Sequence, residues 1–560
     1  MDEQALVLAA LGLASGAGYA ARRRQRRRAQ LPRPRGPRLN VLFVLTDQER
    51  SWDQLPAGFI DRHCPARASL RDEGVQIGGA HTPIQLCAMA RGAVYTGVHA
   101  PNNGLWENVP VPMARDLSKA LPTLGTMMED AGYRVGYAGK WHLSKVPERA
   151  GAPVASAARR YGFGESEADK ELDGANAGRE NDGASVDAAL RFIARHRGPG
   201  APWFLALNLV NPHDVMYYTS GDAMTRSRVS QFPSPSARPP STPLYQEDLG
   251  YEVVGSWGEA TLPGRPPAIR EYLEVWNRLF GTLDTCSEDI AREFQNFYWN
   301  CLRDSDRQLG RLLAGLRASG EDERTVVVFT SDHGEYLGAH GLRGKGVSAY
   351  REGSRVPFVV RHPEGRRGAV AVNLVSLVDL APTLLALAGI DPSVVREHYP
   401  DLVGHDVSAV VGDAQARTPR DARGILTYWT GLAYLDADAP RMAAEALAKR
   451  GLAQKLALAR MVRRVDWTKR GHMRGLIDGR WKLSRYFRPG DHHLPKDLEE
   501  LARRNDVELY DTEADPGELR NLAGDPAHRE VLARLNERKN ALIREEIGDD
   551  AGAFVPFFAR

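Results

Sequence analysis

From Leu39 onward, short apolar runs alternate with amphipathic stretches, and that rhythm restricts the chain to repeated strand–helix–strand units around a mostly parallel sheet. Val41 to Leu45, Arg134 to Ala138, Trp203 to Leu209 and Val326 to Phe329 each read as a buried strand. Between them, Pro122 to Ala131 reads as a helix closed by Gly132, and Ser185 as the cap of a helix running to His196. Phe297 to Ala318 reads as a longer amphipathic helix stopped by Gly320. After about Gly412 the rhythm fades, and Met473 to Phe487 has the pattern of a hairpin around Asp478-Gly479. The expected fold class is α/β: a large, mostly parallel sheet sandwiched by helices over residues 39–411, with a smaller C-terminal α+β domain over 412–560. A length of 560 residues exceeds what one hydrophobic core usually supports, in agreement with that division. Two long inserts, Thr219 to Pro267 and the helical, basic Asp436 to Thr468, are candidates for substrate selection, because such segments often border the site of an α/β enzyme.

The formal charge of +3 is set by the amino terminus, where nine arginines lie between Arg22 and Arg38 against only Asp2 and Glu3. The rest of the chain is slightly acidic, so nothing global favours nucleic acid, and any anion affinity must come from locally placed Lys, Arg and His. Residues 1–38 form an apolar segment, Ala5 to Ala21, followed by the arginine-rich linker. If the segment inserts in a membrane, the arginines on its carboxyl side hold the enzyme body on the cytoplasmic face. A secretory signal would carry its charge before the apolar run, so a cytoplasmic or cytoplasmic-face location is expected over secretion. Cys64, Cys87, Cys286 and Cys301 are too scattered for a disulfide framework or a zinc ribbon.

The predicted strands end in residues that do chemistry. The first runs into Asp47-Gln48, the second into Lys140-Trp141-His142, the third into Asn211-Pro212-His213 and the fourth into Ser331-Asp332-His333-Gly334. Ligands bind at the carboxyl ends of strands in open α/β sheets, and convergence of these ends on one site is harder to explain by structure alone than any single one. Asp47 and Asp332 would bring two carboxylates around a divalent cation, with Gln48 and His333 beside them. Hard oxygen ligands suit Ca²⁺, Mg²⁺ or Mn²⁺, and an imidazole in the shell shifts the preference toward Mn²⁺. The expectation is one divalent cation, Ca²⁺ or Mn²⁺. Arg91, Lys140, His142, His213 and Lys345 would add a cationic cup fitted to a sulfate or phosphate ester.

Gln85-Leu86-Cys87-Ala88-Met89-Ala90-Arg91-Gly92, with Tyr95-Thr96-Gly97, resembles the signature of the sulfatase family within the alkaline phosphatase superfamily. The resemblance extends from Asn40 through Gly139-Lys140-Trp141-His142, Ser331-Asp332-His333-Gly334, Lys345, Arg355-Val356-Pro357 and Asp379-Leu380-Ala381-Pro382-Thr383 to Trp481-Lys482-Leu483 and Glu508-Leu509-Tyr510-Asp511. It implies a hydrolase of sulfuric esters in which Cys87, converted to formylglycine by a formylglycine-generating enzyme, attacks sulfur. It further implies that Asp47, Gln48, Asp332, His333 and the modified Cys87 hold the metal, that Arg91 steadies the formylglycine, and that Lys140 and Lys345 bind ester oxygens. His142 would help the covalent intermediate collapse, and His213 would contact the leaving oxygen as acid or donor. The pairing of Asp-Gln with Asp-His is more similar to phosphonate monoester hydrolases and choline-sulfatase-like members than to lysosomal arylsulfatases. Met89 departs from the Pro or Ala of the signature. Two other readings stand beside the sulfatase: a phosphonate monoester or phosphodiester hydrolase on the same scaffold, and a catalytically silent oxyanion-binding protein.

Overall fold

Seven consecutive buried residues, Asn40–Thr46, form the strand β1 at the centre of the molecule, and their apolar run is explained by helices covering both faces of the sheet. The computed structural model describes residues 31, 38–109, 114–146, 154–167, 171–220, 239–253, 256–257, 264–283, 287–447, 449, 451–550 and 552. In chain order the further strands are β2 (Val75–His81), β3 (Arg134–Gly139), β4 (Glu165–Ser166), β5 (Trp203–Asn208), β6 (Thr325–Ser331), β7 (Phe358–Arg361) and β8 (Ala369–Ser376). They form an eight-stranded sheet in the order β4-β3-β5-β1-β6-β7-β2-β8. β1 pairs in parallel with β5 and β6, whereas β7 runs antiparallel to both β6 and β2, so the expected mostly parallel sheet carries one reversal.

The helices that matter for the site are α1 (Pro65–Glu73), α2 (Cys87–Thr96), α3 (Ala177–His196), α4 (Glu288–Ala318) and, near the carboxyl terminus, α5 (Arg529–Glu546). α3 starts well before Ser185, whose Oγ instead donates to Asn181 O inside the helix at 3.0 Å. The reason is tertiary: the carboxylate of Asp214 accepts from the free N–H groups of Gly178 and Arg179, 3.0 Å each, and so caps the helix from a distant part of the chain. α4 likewise starts at Glu288 rather than near Phe297, with Ser287 Oγ accepting from Ile290 N at 3.3 Å.

The chain then builds a second, antiparallel sheet in the order β12-β11-β10-β9 from β9 (Ile425–Trp429), β10 (His472–Ile477), β11 (Trp481–Phe487) and β12 (Asp506–Asp511). The hairpin read around Asp478-Gly479 is the β10–β11 connection, with Ile477 opposite Lys482. This sheet and α5 share their own apolar core, including Leu483, Leu509, Leu535 and Leu542. Tyr428, Trp429, Met473, Tyr486 and Tyr510 join the core of the larger body, and a buried ionic tie adds to that contact. Glu546, the last residue of α5, meets Arg420 Nη1 at 2.5 Å and His99 Nε2 at 2.7 Å, and Arg420 also pairs with Asp379 at 2.9 Å. Burial opposes the charge on Glu546, but Arg420 and His99 outweigh it and bring its carboxyl down to about 2.

The apolar segment 5–21, the linker residues 22–30 and 32–37, Cys286 and much of the first long insert lie outside the described residues. The second insert holds two helices, Ala439–Leu447 and Gly451–Arg464. Among the described residues no single helix is long and apolar enough to cross a membrane. Cys64, Cys87 and Cys301 are free and buried.

One buried ion-pair group holds the chain just beyond β1. Arg67 of α1 pairs with Glu49 at 2.7 Å and with Asp306 of α4 at 3.1 Å, all but shut off from water, with its guanidinium over the Phe329 ring. Replacing Arg67 by Met would strand two buried carboxylates, and the expected loss is about 3–5 kcal/mol of unfolding free energy. Denaturant titration measures it; an unchanged midpoint would mean that the group is not a clamp.

Candidate active site

β3, β5, β1 and β6 are neighbours in that order and run parallel, so their carboxyl ends share one edge of the sheet. Asp47, Lys140, His142, His213, Asp332 and His333 all follow these ends, and α2 brings Cys87 and Arg91 to the same place. Every candidate, with Gln48 and Lys345, is at most 2% exposed. The turn from β3 into Lys140 requires Gly139: its φ is +89°, and a Cβ there would lie 1.9 Å from Asn208 O.

Ligand atoms of Asp47, Cys87, Asp332 and His333 all lie within 4.8 Å of one another. Cys87 Sγ is 3.3 Å from His333 Nε2 and 3.7 Å from Asp47 Oδ1, and His333 Nε2 is 3.6 Å from both Asp47 Oδ1 and Asp332 Oδ1. His333 Nδ1 faces Gly334 O at 2.9 Å, so it donates there and leaves the Nε2 lone pair turned toward the carboxylates. Gln48 sits at the rim. Its Oε1 accepts from Lys345 Nζ at 2.6 Å, while its Nε2 donates to Glu335, which fixes which way the amide faces. Arg91 is pinned by Trp141 O, Tyr137 Oη, Lys140 O and Asn208 Oδ1, and its free Nη1 lies 3.9 Å from Asp332 Oδ2.

The electrostatics fit a cation between the carboxylates. Burial raises the Asp332 carboxyl, and the charge on Asp47 raises it further. Burial also acts against Asp47, but Lys140, His213, Lys345 and His333 together hold its carboxyl well below the usual range. One carboxylate is therefore ionised at the expense of its neighbour, and a divalent ion would remove that conflict. Asp332 Oδ2 is buried without a hydrogen-bond partner, as suits an oxygen that can ligate a cation, whereas Asp47 Oδ2 faces Lys140 Nζ at 2.9 Å. The Cys87 thiol is lowered: burial and Asp47 work against the thiolate, but Lys345, 2.9 Å from Sγ, together with Lys140 and His142 prevails. Burial, then Lys140 and Lys345, keep His213 neutral.

A second buried ligand group, His340, Glu352 and Glu518, is of a different kind. Arg265 Nη2 donates to His340 Nδ1 at 2.9 Å, which leaves the ring proton on Nε2, 3.4 Å from Glu352 Oε2. Glu518 already faces Lys482 Nζ at 2.7 Å. The group is closed by its own cations and offers no imidazole lone pair.

Several residues of the main site carried no motif. Asn208, at the end of β5, orients Arg91 and accepts from Tyr95 Oη at 2.7 Å, and its strand-end position was the available signal. Glu335 orients Gln48, and Glu171 accepts from His142 N at 3.1 Å. Asp173 lies beside Lys140, His142 and His213. Nothing in the sequence around Glu171 and Asp173 marks them, since they belong to an irregular connection between β4 and α3.

The sequence profile of the Sulfatase family matches residues 39–390. The chain is 29% identical over 391 residues to an uncharacterized sulfatase, YidJ, of Escherichia coli strain K12, covering 63% of this chain and 68% of that protein. It is 23% identical over 463 residues to the N-acetylglucosamine-6-O-sulfatase of Bacteroides thetaiotaomicron, covering 76% and 77% of the two chains. The fold is similar to that of a phosphonate monoester hydrolase from Silicibacter pomeroyi, with a TM-score of 0.62, 19% identity and coverage of 92% and 96%.

Adding Mn²⁺ or Ca²⁺ to metal-stripped protein is expected to raise the thermal midpoint, with about 2.7 kcal/mol of stabilisation at a hundredfold excess over Kd. Asp47→Asn and Asp332→Asn should flatten the response. A wild-type midpoint indifferent to both ions would mean that Lys140, Lys345 and Arg91 already satisfy the carboxylates.

Proposed function

The chain belongs to the sulfatase family, and from that premise we propose that it hydrolyses sulfate monoesters with a formylglycine made from Cys87, beside one divalent cation. The observation that carries this reading is the packing of Asp47, Cys87, Asp332 and His333 ligand atoms within 4.8 Å, ringed by buried Lys140, Lys345, Arg91, His142 and His213. Asp47, Asp332, His333 and residue 87 would hold the cation, Ca²⁺ or Mn²⁺, with Gln48 at its edge. When present, the cation supplies Lewis acidity at the ester oxygens and formylglycine supplies an oxygen nucleophile that can later release sulfate.

The remaining work falls to fixed side chains. Lys140 and Lys345 bind ester oxygens as permanent cations: burial works against their charge, but Asp173, Asp47 and Cys87 for Lys140, and Cys87 and Asp47 for Lys345, raise both above the usual range. Arg91, held by several acceptors, keeps residue 87 in place and cannot swing toward substrate. His142 faces the same space with both ring nitrogens free of hydrogen bonds. His213 is neutral before substrate arrives, and the anion in the cup supplies the negative charge that draws a proton onto it for the leaving oxygen. Water is excluded because all these groups are buried, which strengthens each contact.

Three wider points complete the proposal. Residues 39–411 act as the catalytic unit and 412–560 as the smaller domain, a division supported by the separate antiparallel sheet and the apolar cluster it shares with α5, although Tyr428, Trp429, Met473, Tyr486 and Tyr510 pack into the larger core. Conversion of Cys87 requires a formylglycine-generating enzyme that accepts Met89. The apolar segment 5–21 and its following arginines favour a cytoplasmic location, with membrane association on that face.

Peptide mass spectrometry of the Cys87 fragment from native-host protein is expected to find an aldehyde in place of the thiol; only unmodified thiol would overturn the formylglycine reading. His213→Asn should lower kcat about 100-fold on esters with poor leaving groups and far less on activated aryl sulfates. An equal loss on both would exclude proton delivery by His213.

A further inference from the structure

One carboxylate outside the assigned set reaches the cup. Asp173 Oδ1 lies 3.6 Å from Lys140 Nζ and 4.0 Å from His213 Nε2, and Oδ2 lies 3.9 Å from His142 Nε2. These are charge contacts, too long for hydrogen bonds, so Asp173 is not spent in closing the cup. Its side chain is 29% exposed where Lys140, His142 and His213 are 0–2% exposed, which puts it at the mouth. The segment that carries it is fixed on either side. Glu171 accepts from His142 N, Leu172 is buried with Ala177 and Val210, and Gly174, at φ +107°, donates its N–H to Asp173 Oδ1 at 2.9 Å. Burial works against the charge on Asp173, but Lys140, His142, His213 and Lys345 hold its carboxyl far below the usual range.

We propose that Asp173 is a specificity-determining residue that counts charge: it admits esters carrying one negative charge at the reacting group and disfavours dianions. The inference rests on the sulfatase reading and deepens it. An oxygen hydrogen-bonded to Lys140 Nζ lies within about 6.5 Å of Asp173 Oδ1, inside the Debye length of about 8 Å at physiological salt. A sulfate monoester brings one negative charge to that place. A phosphate monoester, with its second pKa near ~6, brings almost two at neutral pH and meets the carboxylate with twice the repulsion. Lys140, Lys345 and Arg91 would attract the dianion more strongly on their own, so the opposing charge of Asp173 is what separates the two classes. The same repulsion acts on the product, since inorganic sulfate is a dianion, and hastens its departure.

The test uses full-length converted protein, wild type and Asp173→Asn, with Asp173→Ser as a second variant, at about pH 8. Substrates are p-nitrophenyl sulfate, p-nitrophenyl phosphate and the monoanionic methyl p-nitrophenyl phosphate diester. Asp173→Asn is expected to raise the phosphate-to-sulfate ratio of kcat/KM about tenfold and to leave the diester-to-sulfate ratio within about twofold. A readout independent of turnover is calorimetric binding to Cys87→Ala protein, where Asp173→Asn should tighten inorganic sulfate about tenfold and p-nitrophenyl sulfate far less. Equal changes for monoanion and dianion, or wild-type protein that binds p-nitrophenyl phosphate as tightly as the sulfate, would overturn the proposal. Wild-type protein that neither binds nor hydrolyses p-nitrophenyl sulfate would instead overturn the sulfatase reading itself.

Discussion

Asp47 and Asp332 place two fully buried carboxylates side by side, and much of the molecule is organised around making that tolerable. Their proximity follows from sheet register: Thr46 and Ser331 are partners across the parallel β1–β6 pair, so the next residue of each strand emerges on the same edge. Left alone, two buried like charges would drive one proton onto the pair. The fold answers with Lys140 from β3's end, Lys345 from the loop after β6 and Arg91 from α2, each 0% exposed. The cationic cup is thus a direct consequence of the paired carboxylates, and oxyanion affinity comes with it.

Dryness gives these charges their reach and also their rigidity. Arg91 is fixed by acceptors from the ends of two strands, β3 and β5, and Gln48 is turned by Glu335 so that its oxygen faces Lys345. Side chains fixed in this way need little reorganisation when charge develops on a reacting ester. The clamp of Arg67 on Glu49 extends that rigidity one residue beyond the Asp47-Gln48 pair.

What could be read from the sequence was whatever a strand end or a compact motif exposed. Asp47, Lys140, His213, Asp332 and His333 stood directly after apolar runs, and the four strands concerned prove to be adjacent in the sheet. The reversal at β7 could not be read, because a short apolar strand does not reveal its direction. The start of α3 could not be read either, since its cap is Asp214, a residue far along the chain, while Ser185 offered a local cap that the helix does not use. Asp173 was hidden for a related reason. It comes from an irregular stretch, and its meaning arises only when that stretch folds over Lys140 and two histidines.

The buried pairing of Glu546 with His99 and Arg420 also places a schedule on the molecule's birth. His99 follows closely after α2, so the segment bearing Cys87 is locked from behind by Glu546 at the end of α5, more than four hundred residues further along the chain. At about 5–20 residues per second, a ribosome needs on the order of a minute to travel from one to the other. Through that interval the nascent chain holds a cysteine whose surroundings are incomplete, and afterwards that cysteine is 1% exposed. Any enzyme that must grasp the thiol works against a closing door, and the distance along the chain from Cys87 to Glu546 sets how long the door stays open.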